Sequence, residues 1–363
     1  MRISKIIEAL EAWAPPALQE SYDNSGLIVG SPDWETNGVL VALDCIEAVV
    51  DEAIQQGIGL VVAHHPIVFS GLKRFNGKNY VERVVMKAIK HDVALYAIHT
   101  NLDNVSHGVN AALCAQLGLT PERILSPLKG QLKKFQVYVP QSHKDAVEAA
   151  VYAAGGGVVS KYEECSFATE GTGSFKPTEG TQPHIGTVGE REYVKEIKME
   201  FIIHSHVVGA VLSATQQVHP YEEMAYEIIA TENSGAMYGA GVVATLPAEM
   251  SMQDFAQHVK AQLGTTIKAT PFSGESVKTV ALCGGSGQFL LGAALASSAQ
   301  VFITSDFKYH QYFDAEGRIT VFDVGHFESE QFTIQLIADF IEKKFPKFAV
   351  LKTKVKTNPI QYI

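Results

Sequence analysis

The sequence predicts an α/β protein in which two similar α/β units form one core and a ferredoxin-like α+β domain is inserted between them. Short apolar runs alternate with amphipathic segments near both ends of the chain, as in a mostly parallel sheet covered by helices. The stretch between these ends has a different character, with a middle rich in Gly, Thr, Ser and Pro. We therefore divide the chain into an N-terminal α/β unit at 1–130, an insertion at 131–245 and a C-terminal α/β unit at 246–363.

In the N-terminal unit, buried strands are predicted where Val, Leu, Ile and Ala follow one another without interruption. These runs are VLVAL (39–43), LVVAH (60–64) and ALYAI (94–98). Residues 47–56 and 80–91 place apolar side chains three and four positions apart, which predicts helices packed on the sheet.

The C-terminal unit repeats the pattern, with predicted strands KTVALCG (278–284), AQVFITSD (299–306) and RITVFDVG (318–325). A helix over 328–344 follows, because its apolar residues form one stripe and Lys343 and Lys344 suit a helix C-terminus. This second unit is expected to complete the core.

The insertion is predicted to run strand, helix, strand twice, the order of a ferredoxin-like domain. Its predicted parts are a strand at 135–140, a helix at 144–155, a long loop at 168–189, a strand at 195–204, a helix at 206–215 and a strand at 226–230.

The composition excludes several classes of protein. The net charge of −10 comes without a basic block, so nothing indicates binding to nucleic acid or to an anionic membrane. The four cysteines are far apart and form no CxxC, which argues against a disulfide framework and favours a reducing, cytoplasmic location. The N-terminus reads as an amphipathic helix rather than a signal peptide, and no apolar run approaches the roughly 20 residues that span a bilayer.

Two polar clusters directly follow predicted strands of the first unit. His64 and His65 come after one strand and Asp103 after the next, at the strand ends where open α/β sheets bind ligands. Imidazole and carboxylate together suit a divalent metal ion. Taken singly, the histidines also fit a polar loop, and Asp103 also fits a cap of the helix expected near Ser106.

A third cluster lies where the last predicted strand meets the C-terminal helix. His326 and Glu330 are four residues apart, so they share one face if the first turn is helical. The alternative is a helix start whose acidic residues complement the dipole, the role that better suits Glu328. Together the three clusters supply three histidines and two carboxylates, which suit two open metal positions and hence hydrolysis.

Motifs along the whole chain outside the insertion resemble the Nif-three-like family, also called GTP cyclohydrolase type 2 homologues. The family's members hold dinuclear metal centres and form hexameric rings. The motifs that carry the resemblance are DNSGLIVG (23–30), AHHP (63–66), HTNLD with GVN (99–103 and 108–110), LCGGSG (282–287), SDFKYH (305–310) and DVGHFESE (323–330). The insertion resembles the PII-like or CutA-like module of longer bacterial members, with HPYEE at 219–223.

The resemblance implies two divalent ions of zinc, iron, manganese or nickel. It places His65 and Asp103 on one ion and His64 and His326 on the other, with Glu330 between them. It also implies a homohexamer.

Further polar residues of these motifs are expected to line the site or orient its ligands. They are Asn24, His99, Asp306, Lys308 and His310, of which His99, Asp306 and His310 are the candidates for moving protons. Each also fits a structural hydrogen bond. Gly284, Gly285 and Gly287 present backbone N–H groups to a phosphate or simply make a tight turn. The histidines of the insertion are a weaker second metal candidate, namely His184, His204, His206 and His219.

The leading hypothesis is a metal-dependent hydrolase acting on a small, nucleotide-like molecule, with GTP named by the resemblance alone. A phosphoesterase would use the same metals. A third hypothesis, a regulatory or scaffold assembly with an effector-binding insertion, predicts metal-dependent stability with little turnover.

Overall fold

The computed structural model describes residues 1–159, 161–233 and 237–362. It contains two compact units. The core unit comprises Met1–Pro127 and Met237–Ile363, and the inserted unit comprises Leu128–Ala236. The boundary predicted at 245 falls within a strand of the core unit.

In chain order, the strands of the described residues are β1 (Gly26–Val29), β2 (Gly38–Ala42), β3 (Leu60–Ala63), β4 (Ala94–Ala97), β5 (Thr120–Pro127), β6 (Leu132–Pro140), β7 (Phe167–Phe175), β8 (Glu192–His204), β9 (Tyr226–Ala230), β10 (Gly239–Ser251), β11 (Lys268–Ala269), β12 (Ser276–Ser286), β13 (Val301–Ser305), β14 (Thr320–Asp323) and β15 (Ala349–Lys352). The α-helices are α1 (Ile3–Trp13), α2 (Glu47–Gln55), α3 (Tyr80–Lys90), α4 (Thr100–Asp103), α5 (Val109–Gln116), α6 (Lys144–Ala153), α7 (Val208–Val218), α8 (Met252–Leu263), α9 (Leu291–Ala296), α10 (His326–Glu330) and α11 (Thr333–Lys344). In the described part of the chain, no helix is both long and apolar enough to cross a bilayer.

The first sheet of the core unit has the order β1-β4-β3-β2-β15. Strands β2, β3 and β4 are parallel neighbours and consist entirely of buried residues. This burial explains why their sequences are continuously apolar rather than alternating. Strand β15, from the C-terminus of the chain, pairs in parallel with β2 and extends the sheet.

The second sheet has the order β11-β14-β13-β12-β10-β5, and β12, β13 and β14 are parallel. Its edge strand β5 comes from the N-terminal part of the chain and pairs with β10. Each sheet of the core unit therefore takes an edge strand from the opposite end of the sequence. The predicted mixed α/β class is confirmed.

The inserted unit has one antiparallel sheet in the order β7-β8-β6-β9, with helices α6 and α7. Its core consists of side chains from these elements, including Phe135, Val137, Met199, Phe201 and Val211.

Two predicted elements differ from the structure. The loop predicted at 168–189 is wrong over its first part, because Phe167–Phe175 pairs with β8 residue by residue. Backbone pairing with a long neighbour outweighs the weak strand preference of its Gly and Ser residues. The single helix predicted over 328–344 is two helices, α10 and α11, with a break between Glu330 and Thr333.

Candidate metal centre

The sheet topology of the core unit brings polar residues together at strand ends. Ala63 of β3 and Ala97 of β4 are partners in parallel register, so the residues that follow them emerge at the same edge. His64 and His65 follow β3 directly, and His99 precedes the short helix α4 that ends at Asp103. His326 and Glu330 begin and end α10, just after β14 of the other sheet.

The other four predicted ligands lie around Glu330. Its Oε2 is 3.0 Å from Nε2 of His65 and 3.0 Å from Nε2 of His326, and these two nitrogens are 3.3 Å apart. Its Oε1 is 3.8 Å from Nε2 of His64, which is 3.7 Å from Oδ1 of Asp103. Glu330 thus presents one carboxylate oxygen to each of two groups of ligands.

These distances group the histidines differently from the pairing that the resemblance implies. His65 lies with His326, and His64 lies with Asp103. Glu330 belongs to both groups, as expected for a bridging carboxylate. A third group with metal-capable spacing joins His64 and His65 to His99.

Each histidine of the cluster is held through its other ring nitrogen. Nδ1 of His65 donates to Oδ1 of Asp44, and Nδ1 of His326 donates to Oδ2 of Asp306, both at 2.7 Å. Nδ1 of His64 donates to the carbonyl oxygen of Ile98 at 2.8 Å. Because these acceptors hold the proton on Nδ1, Nε2 is the nitrogen that each ring can offer to a metal ion once it is deprotonated, the usual arrangement of metal-binding histidines.

Burial and charge shift the pKa values of the cluster in opposite directions. Burial lowers the pKa of His64 to about 4. Burial also opposes charging of His65 and His326, but hydrogen bonds and the charge of Glu330 outweigh it and raise their pKa values to about 9 and about 11. Burial, followed by the charge of Glu330, raises the pKa of Asp103, whereas the pKa of the buried Glu330 is lowered by His326 and its other histidine partners.

Two buried atoms of the cluster test whether a metal ion fits. Nε2 of His64 and Oδ1 of Asp103 have no hydrogen-bond partner among the described residues, although they lie 3.7 Å apart. Leaving such an atom unsatisfied costs about 1–3 kcal/mol. A divalent cation between a lone pair and a carboxylate oxygen would remove this cost, so the donor set fits a metal ion.

The glycines of the LCGGSG motif make room for this centre. Gly285 has a φ of +61°, and a Cβ there would lie 2.1 Å from Oε1 of Glu330. Its N–H donates to Oγ of Ser329, and the N–H of Gly284 donates to Oδ1 of Asn110. These two amides are therefore engaged within the protein, and close approach to Glu330 explains the glycines better than phosphate binding.

The other predicted site residues fall into two groups. His99 lies at the cluster with its Nδ1 donating to Asp23 at 2.7 Å, and Asp306 orients His326. His310 is exposed on a 3-10 helix beside the rings of Tyr309 and Phe313.

Two more of the predicted site residues lie on the surface. Lys308 is exposed, and the exposed Asn24 donates to the carbonyl of Val68.

In the inserted unit, the rings of His204 and His206 stack with their centroids 5.6 Å apart. The metal-capable groups found among the described residues all lie in the core unit.

Sequence reasoning missed two carboxylates that hold the histidines, Asp44 and Asp23. Asp44 follows Leu43 just beyond β2, at the same strand end as His64, so its position carried the same signal. Asp23 lies in the DNSGLIVG motif and accepts hydrogen bonds from His99 and Thr100. Its pKa is lowered, because these bonds outweigh its burial.

A cavity of about 470 Å³ opens over the cluster within the core unit. This volume lies within the range of about 300–1,000 Å³ that is usual for small-molecule sites. His65, His99, Asp103, His326 and Glu330 line it.

Fold and site together define an α/β protein with a histidine and carboxylate centre able to hold metal ions. The family model of Duf34/NIF3 (NGG1p interacting factor 3) matches residues 1–359, and the chain belongs to this family. Among its relatives is the "GTP cyclohydrolase 1 type 2 homolog" of Bacillus subtilis (strain 168), which is 37% identical over 366 residues covering 99% of this chain and 98% of the relative. The protein of the same name from Staphylococcus aureus (strain COL) is 33% identical, with all of both chains covered. Among solved structures, the Bacillus cereus protein related to NIF3 superimposes with a TM-score of 0.86 at 34% identity, covering 99% of each chain.

Proposed function

We propose that this protein is a hydrolase that uses two divalent metal ions to open a bond in a heterocyclic ring. One ion would be held by His65, His326 and Glu330, and the other by His64, Asp103 and Glu330. The observation that carries the proposal is the pair of carboxylate oxygens of Glu330, each facing its own group of ligand atoms beneath an open cavity. The name of the relatives supports a ring-opening reaction on a purine, which enters here as part of the proposal.

The two ions would supply a Lewis acid and activated water near neutral pH. The protein's own side chains would orient the metal ligands and exchange protons with the substrate. Asp44 and Asp306 fix the rings of His65 and His326, so the Nε2 atoms stay aimed at the centre. His99 lines the cavity with its Nδ1 bonded to Asp23, which leaves its Nε2 to exchange a proton with substrate.

The test compares two buried glutamates of helix α10. Glu330→Gln removes the carboxylate shared by both ligand groups, whereas Glu328→Gln changes a neighbouring buried carboxylate that accepts from Asn358. Metal content is measured by elemental analysis after loading with zinc, manganese, iron or nickel, and turnover is measured on GTP, guanosine and a phosphodiester.

We expect about two ions per chain and ring opening in the wild type and in Glu328→Gln, with both lost in Glu330→Gln. Full metal content without turnover on any substrate would contradict the hydrolase proposal and favour a metal-stabilised regulatory assembly. Turnover on the phosphodiester alone would favour a phosphoesterase.

A further inference from the structure

Large apolar side chains surround the mouth of the cavity. Tyr22, Phe69 and Phe289 all line it and are 59%, 51% and 60% exposed. Tyr22 and Phe69 belong to loops around the first sheet, whereas Phe289 follows β12 of the second sheet. Exposed aromatic residues gathered on both sides of one cavity indicate a binding surface rather than chance exposure.

The aromatic rings continue from the mouth to the metal centre. The centroids of Tyr22 and Phe69 are 6.2 Å apart, and those of Phe69 and His99 are also 6.2 Å apart. His99 in turn lies 5.2 Å from the ring of His64 and 5.4 Å from that of His65. The planes of Tyr22 and Phe69 are tilted by 43° and those of Phe69 and His99 by 75°, so a flat ring that packs against one of these rings would lie close to the ligands of the proposed ions.

The charge around the cavity disfavours an anionic ligand. Glu20, Asp44, Asp103 and Glu330 line it, and Asp23 and Asp306 lie one hydrogen bond behind His99 and His326. These six carboxylates exceed the four positive charges that two divalent ions bring. A triphosphate would therefore enter a site that stays net negative, and salt screens this repulsion only weakly at short range in a partly buried cavity.

We infer that this cavity binds an uncharged, planar nitrogen heterocycle packed among Tyr22, Phe69 and Phe289, and that it selects against nucleoside polyphosphates. The inference rests on the proposed hydrolase, because it names the class of substrate for the same site. The aromatic rim supplies dispersion and stacking to any flat ring, and the carboxylate of Glu20, which is assigned to neither a metal ion nor a histidine, can accept hydrogen bonds from ring N–H and amino groups.

The experiment measures binding rather than turnover. Guanosine and GTP, which share one base, are titrated calorimetrically into zinc-loaded protein, and guanosine is also titrated into metal-free protein. Phe289→Ala is compared with Phe313→Ala, which removes a similarly exposed phenylalanine (66%) that is not among the residues lining the cavity. The oligomeric mass of each variant in solution is measured in parallel.

We expect guanosine to bind at least about tenfold more tightly than GTP, and Phe289→Ala to weaken guanosine binding about tenfold while Phe313→Ala leaves it unchanged. Tighter binding of GTP than of guanosine would overturn the inference. Unchanged guanosine binding in Phe289→Ala would also overturn the inference. If that variant binds guanosine normally but forms a smaller or larger oligomer, the aromatic rim is assigned to contacts between subunits instead. Guanosine binding that persists in a protein without turnover would refute the hydrolase alone, whereas turnover without stacking on the rim would refute the inference alone.

Discussion

Replacing Gly285 by alanine tests the idea that this glycine exists to admit Glu330. The new Cβ would lie 2.1 Å from Oε1 of Glu330 and 3.3 Å from Nε2 of His326. To restore ordinary van der Waals contact, Oε1 has to move by more than about 1 Å. Ligand atoms tolerate displacements of only about 0.2 Å from their metal distances. The ion held with His64 and Asp103 should therefore be lost.

Backbone strain has to be separated from this displacement. Gly285 has a φ of +61°, and an alanine in this left-handed region costs about 1–2 kcal/mol wherever it occurs. Gly57 has a φ of +65°, and a Cβ there would meet nothing within 4 Å. Gly57→Ala is thus a matched control that carries the strain without the displacement.

In the metal-free state Gly57→Ala should lose about 1–2 kcal/mol of unfolding free energy, a shift in Tm of about 2–8 °C for a unit of this size, and Gly285→Ala should lose more because it also displaces Glu330. Zinc affinity should fall at least about 100-fold in Gly285→Ala and stay unchanged in Gly57→Ala. Thermal unfolding with and without zinc, together with elemental analysis, measures both quantities. Two ions bound at wild-type affinity in Gly285→Ala would refute the reasoning.

Three further outcomes are expected. Asp44→Asn should weaken zinc binding about 10–100-fold by replacing the charged acceptor of His65 Nδ1 with a neutral, weaker one, whereas Asp51→Asn, which breaks only a surface pair with Lys87, should not; equal affinities in a competition titration would contradict this role. Zinc affinity should rise between pH 6 and pH 9, because the protons on His65 and His326 must leave before the ion binds. Hydrogen bonds and the charge of Glu330 raise the pKa of His65 to about 9 and of His326 to about 11, so protonation stabilises the metal-free fold fully below pH 6.5 and progressively less as the pH rises through those values. A flat profile by calorimetry would argue against these ligands. Zinc at 100 times its Kd should stabilise the protein by about 2.7 kcal/mol, and a chelator should reverse the accompanying shift in Tm; a Tm that is insensitive to both would argue against a specific site.

Much of the core unit could be predicted from local sequence. The runs at 39–43, 60–64 and 94–98 are buried on both faces of a parallel sheet, so each is apolar along its whole length and lies within one or two residues of the observed strand. The candidate ligands were visible for the same reason, because polar residues that directly follow such strands emerge at one sheet edge.

Long-range pairing was not visible in the sequence. Strand β15 joins the first sheet and β5 joins the second, each far along the chain from its partner. Edge strands are partly exposed and carry a weak apolar pattern, and backbone hydrogen bonds with a distant neighbour decide their place. The strand Phe167–Phe175 was mistaken for a loop on the same grounds.

The sequence by itself determined which side chains are candidates to bind a metal and that they lie just beyond the ends of strands. The tertiary structure alone decided how they are grouped, because the pairing of His65 with His326 depends on how the two sheets of the core unit bring β3 and α10 together. It also decided that Asp44 and Asp306 hold these histidines and that Gly285 leaves space for Glu330, since each contact joins residues at least 20 positions apart.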